Sequence, residues 1–304
     1  MVLYTIGEVL RDIRISRGYS QEALCYGICS RGNLSKIENG KRIPRWFTIE
    51  ALLHRLGDSS AYCIRFMRKD ELKVYESYQN IINSITNDKR PELSDIENMD
   101  QIKENSKIMN QFKKLIQILS CGNENEKKSN LLNALISSMH ITMPGFNIRT
   151  IKNCFLLSYT EVFILYYIGI YLYDLDSKKY AWEILLWLKG YIEKKIIDIE
   201  EKAKLFPMIL YRISFWTQQE HDILESVNLT NISIVYCVKY DKMNYLVKLL
   251  YLKAISLLAL KQADEAEKCF VQAHTISEIM HFGKNGSQEC EDEYCLQLRL
   301  QQFL

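Results

Sequence analysis

Apolar residues recur at helical spacing along almost the whole chain. In "YTIGEVLRDIRISR", residues 4–17, Ile6, Val9, Leu10 and Ile13 share one face, which predicts an amphipathic helix. Gly18 follows as the glycine that ends it. Ser20 caps "SQEALCYG", with Gln21 and Glu22 in its first turn, and Gly27 closes this second helix. Ser30 caps a third, "SRGNLSKIEN", which stops at Asn39-Gly40. Pro44 lies just beyond, and Ile49, Leu52, Leu53 and Leu56 mark a fourth helix ending at Gly57. These short helices make a small N-terminal domain over residues 1–60.

From Ala61 onward the periodic segments lengthen. Residues 62–85 read as one connecting helix, stopped before Pro91, within a linking region taken as 61–90. Helices are predicted around 95–120 and 126–141, with the polar "CGNENEKKS" between them and a break at "MPGFN". The remainder of 91–304 carries a repeat. Ala254, Ala266, Phe270 and Ala273 have the same spacing as Gly169, Ala181, Leu185 and Leu188. That spacing matches the tetratricopeptide pattern of paired antiparallel helices, where a small residue on the first helix lets the second approach. A degenerate unit is expected over roughly 198–240.

Composition sharpens this reading. Only 4 Pro and 12 Gly in 304 residues leave little room for long irregular segments, so the fold class predicted is all-α. Charge is uneven: residues 1–70 carry 12 Lys and Arg against 7 Asp and Glu, on a chain whose net charge is +2. A basic head on a mildly acidic body points to a polyanion partner for the head. The 9 Cys are scattered and no secretory signal precedes them, which predicts a reducing, cytoplasmic setting. The close pairs Cys25/Cys29 and Cys290/Cys295 have no zinc spacing. The longest apolar run, Phe163 to Tyr173, is too short for a bilayer, which takes about 20 residues.

No enzyme and no cofactor are expected. The five His, at 54, 140, 221, 274 and 281, are dispersed, and no phosphate-cradling Gly-rich loop is present. His274 and His281, seven apart, read as polar helix surface.

The third short helix is where packing does not explain the residues. Leu34 and Ile37 form its apolar face, while Arg31, Gly32, Asn33 and Lys36 point elsewhere. Arg and Asn are the side chains that make two-point hydrogen bonds to guanine and adenine edges, and a helix N-terminus suits phosphate. A short helix, a tight turn before it and a polar exposed start are what a recognition helix requires.

"SQEALCYGICSRGNLSKIENGKRIP" resembles the helix-turn-helix of the Xre/Cro repressor family, over roughly residues 4–57. The resemblance implies that Gln21 contacts phosphate and that Arg31 and Gly32 hold the base-reading places. Asn33 and Lys36 are neighbours that reach base or backbone, Asn39 and Lys41 approach phosphate, and Ser30 and Arg42 count with them as DNA-binding residues. Glu38 ties the helices together. Gly32 replaces a long side chain, which shifts readout toward Arg31. Joined to irregular tetratricopeptide-like repeats, the whole chain resembles the peptide-responsive RRNPP regulators of Gram-positive bacteria. That implies a small head followed by an α-solenoid, a homodimer on a palindromic double-stranded operator, and a quorum-sensing peptide on the concave face of the repeats.

By the repeat register, Phe163, Tyr166, Ile170 and Tyr173 face that groove in one unit, and Lys248, Tyr251 and Ile255 in the last. Asn133 and Asn153 are candidates to clamp a peptide backbone, since an amide both donates and accepts. Three other readings stay open: control by a protein partner, thiol redox control with Cys29 beside Arg31, and a scaffold without DNA binding.

Overall fold

The computed structural model of the chain describes residues 5–58, 69–87, 89, 91–100, 106–120, 128–153, 156–195, 197–240 and 242–281. Every regular element among them is a helix. The head is α1 (Ile6–Ser16), α2 (Gln21–Cys25), α3 (Arg31–Glu38) and α4 (Trp46–Leu56). Its starts and stops follow local chemistry. Ser20 and Ser30 accept from the backbone N–H groups of Ala23 and Asn33, and Thr5 forms a capping box with Glu8. Gly18, Gly40 and Gly57 all lie at φ between 67° and 79°. After each, a backbone N–H closes the helix end, as where Lys41 donates to Lys36 at 2.8 Å. Leu10, Leu24, Leu34, Ile37, Leu52, Leu53 and Leu56 fill the domain's core.

Two units divide the chain, Met1–Leu205 and Phe206–Leu304. The first continues with α5 (Lys69–Thr86), α6 (Leu93–Asp100), α7 (Lys107–Ser120), α8 (Lys128–Thr142), α9 (Tyr159–Asp174) and α10 (Lys178–Lys194). Residues 62–68 of the predicted connecting helix, and most of "CGNENEKKS", lie outside the described residues. The predicted helix at 95–120 is two, because Ser106 accepts from the N–H of Met109 and starts α7 afresh. A 3-10 helix, Ile148–Asn153, interrupts the connection between α8 and α9.

The head is seated on this unit rather than strung from it. Nearly all of α4 is buried: Ile49, Leu52, Leu53 and Leu56 face the head core, and Trp46, Phe47, Glu50, His54 and Arg55 face outward from it. Trp46 packs edge-on against Tyr75 and Tyr78 of α5, each at 5.2 Å between ring centres. His54 stacks on Tyr159 of α9 at 3.7 Å. Burial holds the His54 imidazole well below its ordinary pKa, as do Lys204 and Lys195 nearby, so it packs as a neutral ring.

Arg55 and Glu161, each 1% exposed, form an ion pair at 2.7 Å. Arg55 also donates to the carbonyls of Leu24 and Tyr26, tying α2 to the same point. Glu161 accepts in addition from the Thr142 hydroxyl at 2.7 Å and the Ser158 N–H at 2.6 Å. Lys195 Nζ donates to the Arg55 carbonyl at 2.6 Å. Gly27 has φ +69°, and a Cβ there would stand 1.6 Å from the Thr142 carbonyl oxygen. Only glycine allows the head this close.

The repeat pattern is visible in the packing. A Cβ on Gly169 would lie 3.3 Å from Leu185, the close approach of α9 and α10 that the spacing predicts. α11 (Ile199–Gln219) runs from the first unit into the second, which continues as α12 (Ile223–Lys239), α13 (Met243–Ala259) and α14 (Ala263–His281). Within it Ala254, Leu257, Ala266 and Cys269 form a cluster that takes in Phe270. The hairpin turns share one geometry. Asp176, His221 and Lys261 sit at φ 61°, 67° and 61°. The next N–H donates back to Leu172, Thr217 and Leu257 respectively. Among the described residues no helix is long and apolar enough to cross a membrane.

Arg55→Ala is expected to lower unfolding free energy by about 3–5 kcal/mol, because it leaves Glu161 charged, buried and unpaired; urea denaturation checks this. Burial raises the Glu161 pKa, but Arg55 and the bonds from Ser158 and Thr142 outweigh it and hold the carboxyl below 4.5. Stability from this pair is therefore full above pH 4.5 and falls as pH drops through the lower folded-state value, a slope that Glu161→Gln flattens. Lys261→Gly should raise stability by up to about 1 kcal/mol in thermal melts, by relieving the left-handed backbone.

Candidate nucleic-acid interface

The mount of α3 is built from its buried end. Glu38, 1% exposed, takes both forks of the Arg14 guanidinium, at 2.6 and 2.9 Å. It also accepts from the Gln21 side-chain amide at 2.7 Å. One carboxylate thus fixes α3 to α1 and α2 together. Donating to the Glu38 carboxylate raises the pKa of Arg14 above its ordinary value. A Cβ on Gly7 would fall 1.8 Å from the Ile37 carbonyl oxygen, so α1 crosses α3 with no room for a side chain.

The opposite end of α3 is bare. Ser30, Arg31 and Gly32 are exposed there and Asn33 is half-buried, while Lys36 is exposed in the last turn. A side chain at Gly32 would meet nothing within 4 Å. Lys41 and Arg42 are exposed just beyond the helix. Arg42 Nη1 donates to Asn33 Oδ1 at 2.9 Å, which uses the Asn33 carbonyl and leaves its N–H groups for an acceptor. Asn39 donates to the Ser35 carbonyl at 2.8 Å and accepts from Arg11 at 3.5 Å. Of the nine residues assigned to DNA, seven are exposed, Asn33 is half-buried, and Gln21 is engaged inward on Glu38.

Two contributors escaped the sequence reading. Arg14 lies on α1, and nothing local marks it as the partner of Glu38, 24 residues away. Ile43 stands 85% exposed beside Arg42, an apolar side chain suited to a thymine methyl group. Its signal in the sequence is an isoleucine between Arg42 and Pro44.

The peptide candidates scatter. Phe163 is fully buried and Tyr166 is 3% exposed, so both pack in the core of α9 instead of facing an open groove. On a helix whose neighbours cover it on several sides, register alone does not separate a groove face from a core face. Tyr173 and Ile170 are half-buried, with Lys178 Nζ 5.1 Å above the Tyr173 ring. Asn133 is exposed on α8. Asn153 ends the 3-10 helix, and its side chain lies outside the described residues. In the second unit Lys248, Tyr251 and Ile255 are half-buried, and Tyr251 contacts Phe270. Cys29 gives the redox reading no support: burial raises its thiol to about 11, where thiolate is scarce at neutral pH.

Residues 5–59 match the sequence profile of the helix-turn-helix domain family. In fold the chain is similar to PlcR of Bacillus thuringiensis, whose crystal structure holds the peptide PapR7 and DNA. The likeness covers 91% of this chain and 95% of PlcR, at 16% identity and a TM-score of 0.59. It is also similar to ComR from S. thermophilus in complex with DNA and its signalling peptide ComS. There 98% of this chain and 99% of ComR are covered, at 16% identity and a TM-score of 0.50. No curated protein matches the chain in sequence. The fold shared with PlcR and ComR is thus a helix-turn-helix head followed by tetratricopeptide-like helical pairs.

Gln21→Ala should cost about 1 kcal/mol of stability, the ordinary worth of one hydrogen bond, while Glu38→Ala costs about 3 kcal/mol by orphaning Arg14. Chemical denaturation of the two variants checks the ranking.

Proposed function

We propose that this chain is a transcriptional regulator that binds double-stranded DNA through α3 and responds to a short signalling peptide. The observation that carries the first half is the bare start of α3 on a rigid mount. Arg31 supplies the bidentate guanidinium for a guanine edge, Gly32 lets the backbone approach, and Asn33 offers N–H donors to a neighbouring base. Lys36, Lys41 and Arg42 lie where phosphate contacts would set the register. An α-helix of this kind fits a major groove about 12 Å wide.

One head offers few base contacts. A homodimer on a palindromic operator doubles them at a fixed half-site spacing. The working division is a DNA-binding head at 1–60, a connecting helix at 61–90, and a ligand-binding and dimerisation body at 91–304, in a cytoplasmic protein without catalytic chemistry. PlcR and ComR are both solved with a peptide and DNA together, which supports peptide control here. Asn133, Tyr173, Lys248 and Tyr251 are the sequence-assigned contacts whose side chains stay accessible.

The test is fluorescence anisotropy of the purified protein on DNA from immediately upstream of its own gene, at fixed salt, with and without a peptide fraction of spent medium. Tight binding that shifts with the fraction supports both halves. Tight binding that ignores it keeps the DNA reading and removes the peptide. Arg31→Ala should lose about 1–3 kcal/mol on the operator and little on random DNA. Lys41→Ala should weaken both equally and reduce the slope of log affinity on log salt by about 1. Equal behaviour of Arg31→Ala and the parent on an operator would sink the assignment of α3.

A further inference from the structure

The connection between α8 and α9 is unlike the others. It occupies residues 143–158, whereas the links before α11 and α13 are the few residues 195–198 and 240–242. Long connections in helical folds commonly carry function. This one folds its 3-10 helix against α10 and helps wall a cavity of about 400 Å³ between α8, the connection, the end of α9 and the start of α10. The size is that of a small-ligand site. None of the sequence-assigned peptide residues lines it, α7 contributes nothing, and α9 contributes only Leu172 of its last turns.

The lining has two chemically distinct parts. Ile136, Phe146, Ile148 and Leu172 give an apolar floor. The same lining includes donors that the fold leaves unused. The exposed Arg149 guanidinium makes no hydrogen bond or ion pair among the described residues, nor does the half-buried Tyr180 hydroxyl. Ser177 precedes α10 without capping it. His140 Nε2 lies 2.9 Å from the Phe146 carbonyl oxygen, which can only accept, so the ring proton sits there and Nδ1 is turned away from that bond. No Asp or Glu lines the cavity, and Asp174 at the end of α9 is paired with Lys128 at 2.6 Å.

We propose that this cleft binds an amphiphilic carboxylate. The carboxylate accepts from Arg149, with the Tyr180 and Ser177 hydroxyls as further donors, and an aromatic or branched aliphatic group lies on the Ile136–Phe146–Leu172 floor. A guanidinium is the planar donor matched to a carboxylate, and an apolar floor beside it selects against small inorganic anions. The same chemistry comes from a free small acid or from the C-terminal residue of a peptide. The site stands apart from the DNA reading and from the concave-face peptide reading, and neither depends on it.

The full-length protein is titrated calorimetrically with N-acetyl-L-phenylalanine and with N-acetyl-L-phenylalaninamide, which lacks only the charge. The acid is expected to bind about tenfold or more tighter than the amide, the worth of a charge-assisted hydrogen bond. Arg149→Gln should erase the difference. Arg149 is exposed and unbonded among the described residues, so the variant keeps the fold, which a thermal melt verifies. In histidine-labelled protein the His140 resonance, one of 5 and assigned by His140→Gln, should move with the acid. Equal affinity for acid and amide, an advantage that survives Arg149→Gln, or no binding of either overturns the proposal. A tetrapeptide ending in phenylalanine separates the sources. Binding as tight as the N-acetyl acid assigns the cleft to a peptide end, and binding of the small acid alone assigns it to a free metabolite-sized acid.

Discussion

A single buried ion pair determines how this molecule is put together. Arg55 and Glu161 lie 106 residues apart and are both shut off from water. Burying two charges is unfavourable unless every polar atom finds a partner. Here most do: Arg55 also reaches two backbone carbonyls at the end of α2, and Glu161 is held by a serine N–H and a threonine hydroxyl. An apolar contact would tolerate sliding. A hydrogen-bonded charge pair does not, so the head sits in one register against α8 and α9. Gln111 extends the network by donating to Thr142 at 2.7 Å, bringing α7 into the same lattice of bonds.

This seating leaves α4 with two jobs. Its apolar positions complete the head core, and its outward positions join the head to the helices that follow. Ser30, Arg31 and Gly32 at the start of α3 stay exposed in this arrangement. Glu38 fixes one end of the helix to α1 and α2, and Arg31 at the other end stays exposed.

The body is irregular in sequence but regular in its turns. Asp176, His221 and Lys261 occupy the same left-handed position in successive hairpins, with the same backbone bond behind each. The exception is the long connection at 143–158, and it is there that unused donors gather over an apolar floor.

Much of the head could be read directly. Ser20 and Ser30, Gly18, Gly40 and Gly57, and the apolar positions of α1, α3 and α4 are local signals, because capping and left-handed backbone depend on the residue at that place. The small-residue spacing of Gly169 with Ala181, and of Ala254 with Ala266, was legible for the same reason: one helix period brings those positions to one seam. The turns at Asp176, His221 and Lys261 were not, since aspartate, histidine and lysine carry no mark of a left-handed conformation that neighbouring helices impose. Nor was the inward use of Gln21, the partner of Glu38, or the burial of Phe163 and Tyr166. Each depends on which distant residue arrives. The sequence by itself determined where helices begin and end in the head and which short helix is left polar. Only the tertiary structure decided which charges pair across the chain, because a buried charge is satisfied by geometry in three dimensions and leaves no period in one.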